Sequence, residues 1–280
     1  MGREENILIF EDTERLCKTD ERLKASVQRS LLEQRLIPEG DVLPKADLHR
    51  YPEGAKILVS PKRSFEAASA YRDLKTCVLN FASWTNPGGG VVRGSSAQEE
   101  CLCRCSTLYF CLNTKPMWDG FYGPHRQAQD PLHNGDCIYT PGVTVFKSDT
   151  AKPELLPEKE RFSVNVITCA APNLRPKPEN RMNAGDGDRP VKVSPKQLKE
   201  IHISRLSRVL DIAASEGSEA VILGAFGCGA FLNDPRIVAE AAKEVLPAYL
   251  HAFRVIEFAV YCSPRDDSNY RIFRSALAGM

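Results

Sequence analysis

The chain is expected to fold as an α/β protein with helices on both faces of a central sheet, and three observations carry that expectation. Short β-rich apolar runs alternate with segments of helical periodicity along most of the 280 residues. Two glycine-rich stretches each follow such a run and lead into a helix. Apolar residues make up 42% of the chain, enough to bury one substantial core, so a single large domain over 1–280 is expected.

Residues 1–50 read as a helical N-terminal extension. Leu23, Val27, Leu31 or Leu32, and Leu36 recur at helical spacing over 20–36, and Pro38-Glu39-Gly40 stops the pattern. KILVS at 56–60 predicts a strand, 64–74 a helix, and 76–82 (TCVLNFA) a strand that runs into the first glycines. The next helix is expected to begin near Ser95-Ser96, where Ser96-Ala97-Gln98-Glu99 matches a capping box; Leu102, Cys105, Tyr109 and Leu112 supply its apolar face. Further strands are expected at 137–146, 164–170, 220–223 and 255–261, with long helices at 195–215 and 235–253. Residues 173–194, rich in Pro, Asn, Asp and Gly, predict an exposed loop excursion, with Asp186-Gly187-Asp188 as an ordinary turn rather than a cation loop. There is no internal repeat.

With 37 Lys and Arg against 36 Asp and Glu, the net charge of +1 gives no general attraction to nucleic acid or to an anionic membrane. A phosphate-bearing ligand must then be held by a pocket. No apolar stretch has bilayer length, and the N-terminus mixes charged and apolar residues, so a cytoplasmic monomer is expected. The ten cysteines lack C-x-x-C pairs and suggest reduced, buried thiols. In Cys101-Leu102-Cys103-Arg104-Cys105 a helix would turn Cys103 away from the other two, and no histidine lies nearby, so neither a metal nor a cofactor is expected. His125 and His133 fall in a polar stretch and predict exposed structural positions.

The stretch NPGGGVVRGSSAQEE, Asn86 to Glu100, places two adjacent carboxylates in the first turn of a helix just beyond three glycines. A second stretch, LGAFGCGAFLNDP at 223–235, again links a strand to a helix. Glycine lets backbone N–H groups approach an anion at the carboxyl ends of strands, so two such loops suggest a nucleotide-diphosphate pocket, with Phe226 and Phe231 against a sugar or base. Neither G-x-G-x-x-G nor a Walker A loop occurs. Adjacent carboxylates in a partly dehydrated cleft repel each other, so one can stay protonated and serve as a general acid, although the helix dipole opposes that.

Gly88-Gly89-Gly90 followed after seven residues by Gln98-Glu99-Glu100 resembles the signature of the poly(ADP-ribose) glycohydrolases. Asn80-Phe81-Ala82-Ser83, Tyr139-Thr140-Pro141-Gly142-Val143, Ala170-Ala171-Pro172-Asn173 and GAFGCGAFLNDP are similar to the shorter bacterial-type branch. The resemblance implies a three-layer α/β/α macrodomain with a mixed sheet and, here, an N-terminal helical extension. It implies Glu100 as catalytic acid/base, Glu99 as a holder of the ribose, and Gly88, Gly89, Gly90 and Val91 as the catalytic loop. Asn80, Ser83, Asn86 and Gln98 are implied near the ribose. Gly224, Ala225, Phe226, Gly227, Cys228, Gly229, Ala230 and Phe231 would cradle the diphosphate. The implied partners are poly(ADP-ribose) or an ADP-ribosylated substrate, with ADP-ribose as product. Hydrolysis of a mono-ADP-ribosyl side chain or ester is an alternative in the same pocket, and a noncatalytic ADP-ribose reader is a second.

Overall fold

The computed structural model describes residues 2–181 and 184–280. Two helices, α1 (Arg3–Thr19) and α2 (Glu21–Glu33), open the chain, with the Asp20 carboxylate accepting from Arg22 N and Leu23 N to start α2. The helix predicted over 20–36 ends at Glu33: Gln34 leaves it to donate to Cys111 O and Thr140 Oγ1, and Arg35–Ile37 forms β1. The N-terminal segment thus lends a strand to the main sheet.

β2 (Lys56–Ser60), β3 (Thr76–Phe81), β4 (Cys137–Val145), β5 (Phe162–Cys169), β6 (Ala220–Leu223) and β7 (Val255–Ala259) complete one seven-stranded sheet in the order β1-β4-β5-β3-β6-β7-β2. The pairs of β4 with β1 and β5 are antiparallel, while β5-β3-β6-β7-β2 run parallel, so the sheet is mixed. Side chains alternate on β3: Cys77 and Leu79 join the core on one face, and Val78 joins the core on the other. The first face carries α8 (Pro195–Ser215) and α9 (Pro235–Val245), against which α10 (Ser268–Ala276) packs. The second carries α1, α3 (Ser64–Ala68), α4 (Gln98–Cys105), α5 (Leu108–Leu112), α6 (Lys115–Met117), a π-helical turn over Trp118–Tyr122, and α7 (Gly123–Ala128).

Several helices are shorter than their patterns predict. The 64–74 helix stops at Ala68 and tightens into a 3₁₀ turn, and the 235–253 helix does the same at Val245, just before Pro247, whose ring and missing N–H disfavour continued α geometry. α4 begins at Gln98 behind Ala97, and no side chain caps it, so the Ser96 capping box does not form. Cys101, Cys103 and Cys105 are all buried, Cys103 included, and burial pushes each thiol pKa up. Among the described residues, no helix is long and apolar enough to cross a membrane.

Candidate active site

Because β3, β6 and β7 are parallel, their carboxyl ends share one edge of the sheet. The segments that leave those ends bound a cleft of about 940 Å³. The glycine loop after β3 and the one after β6 face each other across it.

Gln98 locks α4 to the end of β3. Its Oε1 accepts from Phe81 N at 2.9 Å, and its Nε2 donates to Leu79 O at 2.8 Å and Ser64 Oγ at 2.9 Å. That clamp places the next two residues at the cleft wall. Glu99 and Glu100 are only 3% and 7% exposed. Asn80, two residues beyond Val78 and therefore on the same face of β3, donates to Glu99 Oε1 at 3.2 Å; Ser83 N donates to Glu99 Oε2 at 2.7 Å. Glu100 Oε1 accepts from Gly90 N at 2.9 Å, whereas Glu100 Oε2 has no hydrogen-bond partner among the described residues.

Burial raises the pKa of both carboxyls. Glu99 rises well above the ordinary value because burial and the adjacent Glu100 both oppose its charge, against the donors Ser83 and Asn80. Glu100 rises through burial, opposed by the N–H groups of Gly90, Glu100 and Ala97 and by the positive charge of Arg104. Burial by itself favours a proton on Glu99, but the donors oppose it: both Glu99 oxygens accept N–H hydrogen bonds, which favour its ionised form, while among the described residues Glu100 Oε2 accepts none and is the better seat for a proton. Gly89 is fixed by this geometry: it adopts φ +58°, and a Cβ there would lie 2.5 Å from Glu100 Oε1.

Of the residues expected at the site, Ser83, Gly89, Gly90 and the Gln98-Glu99-Glu100 triplet line the cleft, as do Ala225, Phe226, Gly227, Gly229, Ala230 and Phe231. Six others do not line it. Asn80 is fully buried beneath Glu99, and Asn86 Nδ2 donates to Ala184 O, while its Oδ1 accepts from Arg126. Val91 is a core residue, and Gly88 backs onto Tyr109. Gly224 packs against Ala259 O and Phe81, and Cys228 has its Sγ directed to Phe226 O. Among the described residues the N–H groups of Gly229, Ala230 and Phe231 have no acceptor, which leaves three donors at the cleft.

The sequence alone did not single out several cleft residues. Arg63 stacks over the Tyr261 ring with its guanidinium carbon 3.9 Å from the centroid, at the β2 and β7 end. Asp149 also lines the cleft; its carboxyl is pushed up to about 6 by burial, and it accepts from Phe65 N at 3.0 Å. Arg175 and Asn180 come from the segment expected to be exposed. Much of 173–194 is exposed among the described residues, which leave out 182 and 183, but Asn173 and Asp186 are buried anchors within it: Asp186 accepts from Thr85 Oγ1 at 3.1 Å and Asn173 Nδ2 at 2.6 Å, tying the segment to the first glycine loop. His125 is likewise buried, not exposed, with its ring centroid 4.1 Å from Trp84 and Nε2 3.1 Å from Asp136 Oδ2. His133, whose ring lies 5.0 Å from the same indole, is held neutral by burial, which takes its pKa well below the ordinary value.

The family model for the microbial-type PARG catalytic domain matches residues 4–148. Solved structures agree over nearly the whole length. A poly(ADP-ribose) glycohydrolase (PARG) from Deinococcus radiodurans in complex with ADP-ribose is 32% identical, with a TM-score of 0.72 over 90% of this chain and 96% of that one. The chain belongs to the microbial-type PARG family. The PARG from Thermomonospora curvata superposes with a TM-score of 0.81 at 28% identity, covering 97% of this chain and 99% of that one. A second structure of that enzyme, bound to the inhibitor ADP-HPD, gives 30% identity and a TM-score of 0.77 over 96% and 98% of the two chains. No curated protein sequence matches this PARG.

Proposed function

We propose that this PARG hydrolyses the ribose–ribose O-glycosidic bond of poly(ADP-ribose) and releases ADP-ribose, with Glu100 as general acid and then general base. The observation that carries the proposal is the setting of Glu100: one oxygen is pinned by Gly90 N, and the other has no partner among the described residues, in the wall of a cleft bounded by two glycine loops.

Protonated Oε2 gives its proton to the leaving 2′-oxygen as positive charge builds at the anomeric carbon. The resulting carboxylate then takes a proton from the attacking water. Glu99, whose ionised form the Asn80 and Ser83 donors favour against burial, lines the same cleft and in that form favours the developing cation. The strand order β3-β6-β7 supports one direction for the ligand. In this reading the reacting ribose would lie by Glu100 and Phe231, the diphosphate over the loop after β6, and the adenine toward Tyr261 after β7, all of which line the cleft.

Product release from poly(ADP-ribose) and from a mono-ADP-ribosylated protein, with wild type, Glu100→Gln and Glu99→Gln, tests this. Free ADP-ribose should come from the polymer, and Glu100→Gln should reduce the rate by roughly 10²–10⁴-fold. Wild-type turnover in Glu100→Gln would remove Glu100 from the mechanism. Release from the mono-modified protein alone would reassign the substrate.

A further inference from the structure

We infer that Arg175 is a ligand of the substrate diphosphate, supplying the positive charge that the loop after β6 lacks. The inference rests on the ADP-ribose reading of the cleft and adds to it a residue outside both glycine motifs.

The loop itself offers donors without charge. Among the described residues Gly229, Ala230 and Phe231 have no acceptor for their N–H groups, and the segment 224–231 contains no Lys or Arg. A diphosphate carries two negative charges, and the protein's net charge of +1 does little to attract it from a distance. A local cation would add charge to those N–H groups, and among the arginines that line the cleft Arg175 is the one seen against this loop.

Arg175 offers that charge by position. Leu174 N donates to Phe231 O at 2.9 Å, so the chain before Arg175 runs directly along the loop. The Arg175 guanidinium lies 5.6 Å from the Phe231 ring centroid and lines the cleft. It is held in place by neutral oxygens: Nε donates to Asn173 Oδ1 at 3.0 Å, and Nη2 donates to Pro178 O. Among the described residues no carboxylate forms an ion pair with it. Asp186 bears on it electrostatically and accepts hydrogen bonds from Thr85 Oγ1 and Asn173 Nδ2. A half-buried guanidinium fixed by carbonyls, and still short of counter-charge, is preorganised for an anion.

The test is calorimetric binding of ADP-ribose at low and high salt by wild type, Arg175→Gln and Arg175→Lys, with Tm recorded for each. Hydrolysis of poly(ADP-ribose) is measured in parallel. Arg175→Gln should weaken ADP-ribose binding by about tenfold or more and flatten its salt dependence. Arg175→Lys should restore the salt dependence and part of the affinity, and Tm should hold in both, which separates a ligand contact from a structural role. Unchanged ADP-ribose affinity and salt dependence in Arg175→Gln would overturn the inference. So would a rise in polymer KM with ADP-ribose affinity intact, since the cation would then serve the diphosphate of a neighbouring unit. Wild type that binds ADP-ribose but cleaves no polymer would instead overturn the proposed reaction and leave Arg175 in place.

Discussion

The two glycine loops share composition and position at strand ends, yet their backbones are used in opposite ways. In the loop after β3 the N–H groups of Gly89, Gly90 and Val91 are all taken by protein acceptors: Asn86 O, Glu100 Oε1 and Gly88 O. In the loop after β6 those of Gly229, Ala230 and Phe231 are free among the described residues. The first loop is closed on itself and on a carboxylate, so its glycines shape the protein's own acid. The second is open, and its glycines leave room for a ligand. Glycine richness alone therefore does not mark a phosphate cradle; the fate of the N–H groups does.

The largest break in this comparison should come from Gly89→Ala. Its Cβ must displace the Glu100 carboxylate from a backbone that already has positive φ. We expect kcat to fall by about 100-fold, as for a misplaced catalytic group, with ADP-ribose affinity changed far less. Single-turnover kinetics beside calorimetry would show whether the two effects separate.

A matched pair in the second loop sharpens the contrast. Gly227 has φ +78°, and a Cβ there would lie 2.5 Å from the Ala171 Cβ, whereas nothing lies within 4 Å of a Cβ on Gly229. Gly227→Ala should cost about 1–3 kcal/mol and lower Tm. Gly229→Ala should leave Tm unchanged and weaken ADP-ribose binding. Equal loss of Tm in both variants would mean that the second loop is shaped by the fold alone.

The smallest effects concern the raised carboxyls. A carboxyl whose folded pKa lies above its unfolded value binds protons more tightly in the folded state, so stability is greatest at low pH and falls as pH rises through the folded pKa. Asp149, with a folded pKa of about 6, should lower stability above that pH. Asp149→Asn should therefore raise Tm at pH 8 relative to wild type and gain little at pH 4. A gain of equal size at both pH values would contradict the assigned cause.

The parallel half of the fold was the most legible in sequence. β2, β6 and α8 fall on their expected residues because each is a compact apolar run or a long periodic segment bounded by Pro or Gly. Local rules failed where tertiary bonds decide. Ser96 was expected to cap α4, but the Gln98 clamp on β3 sets where that helix begins. Leu36 fits a helical stripe and sits in β1 because β4 offers it an edge to pair with. The acidic pair could be read from its spacing behind the glycines. Arg175 could not, since its segment looks like an ordinary polar loop until Asp186 and Asn173 are seen buried beneath it.

The central claim, that Glu100 is the proton donor, is tested most directly by the pH dependence of single-turnover poly(ADP-ribose) cleavage in wild type and Glu100→Gln, with ADP-ribose binding measured across the same range. The raised Glu100 carboxyl predicts a wild-type rate that falls on the alkaline side while binding persists, and a Glu100→Gln rate that is low and lacks that limb. An alkaline limb that survives unchanged in Glu100→Gln would assign the proton to another group and contradict the account.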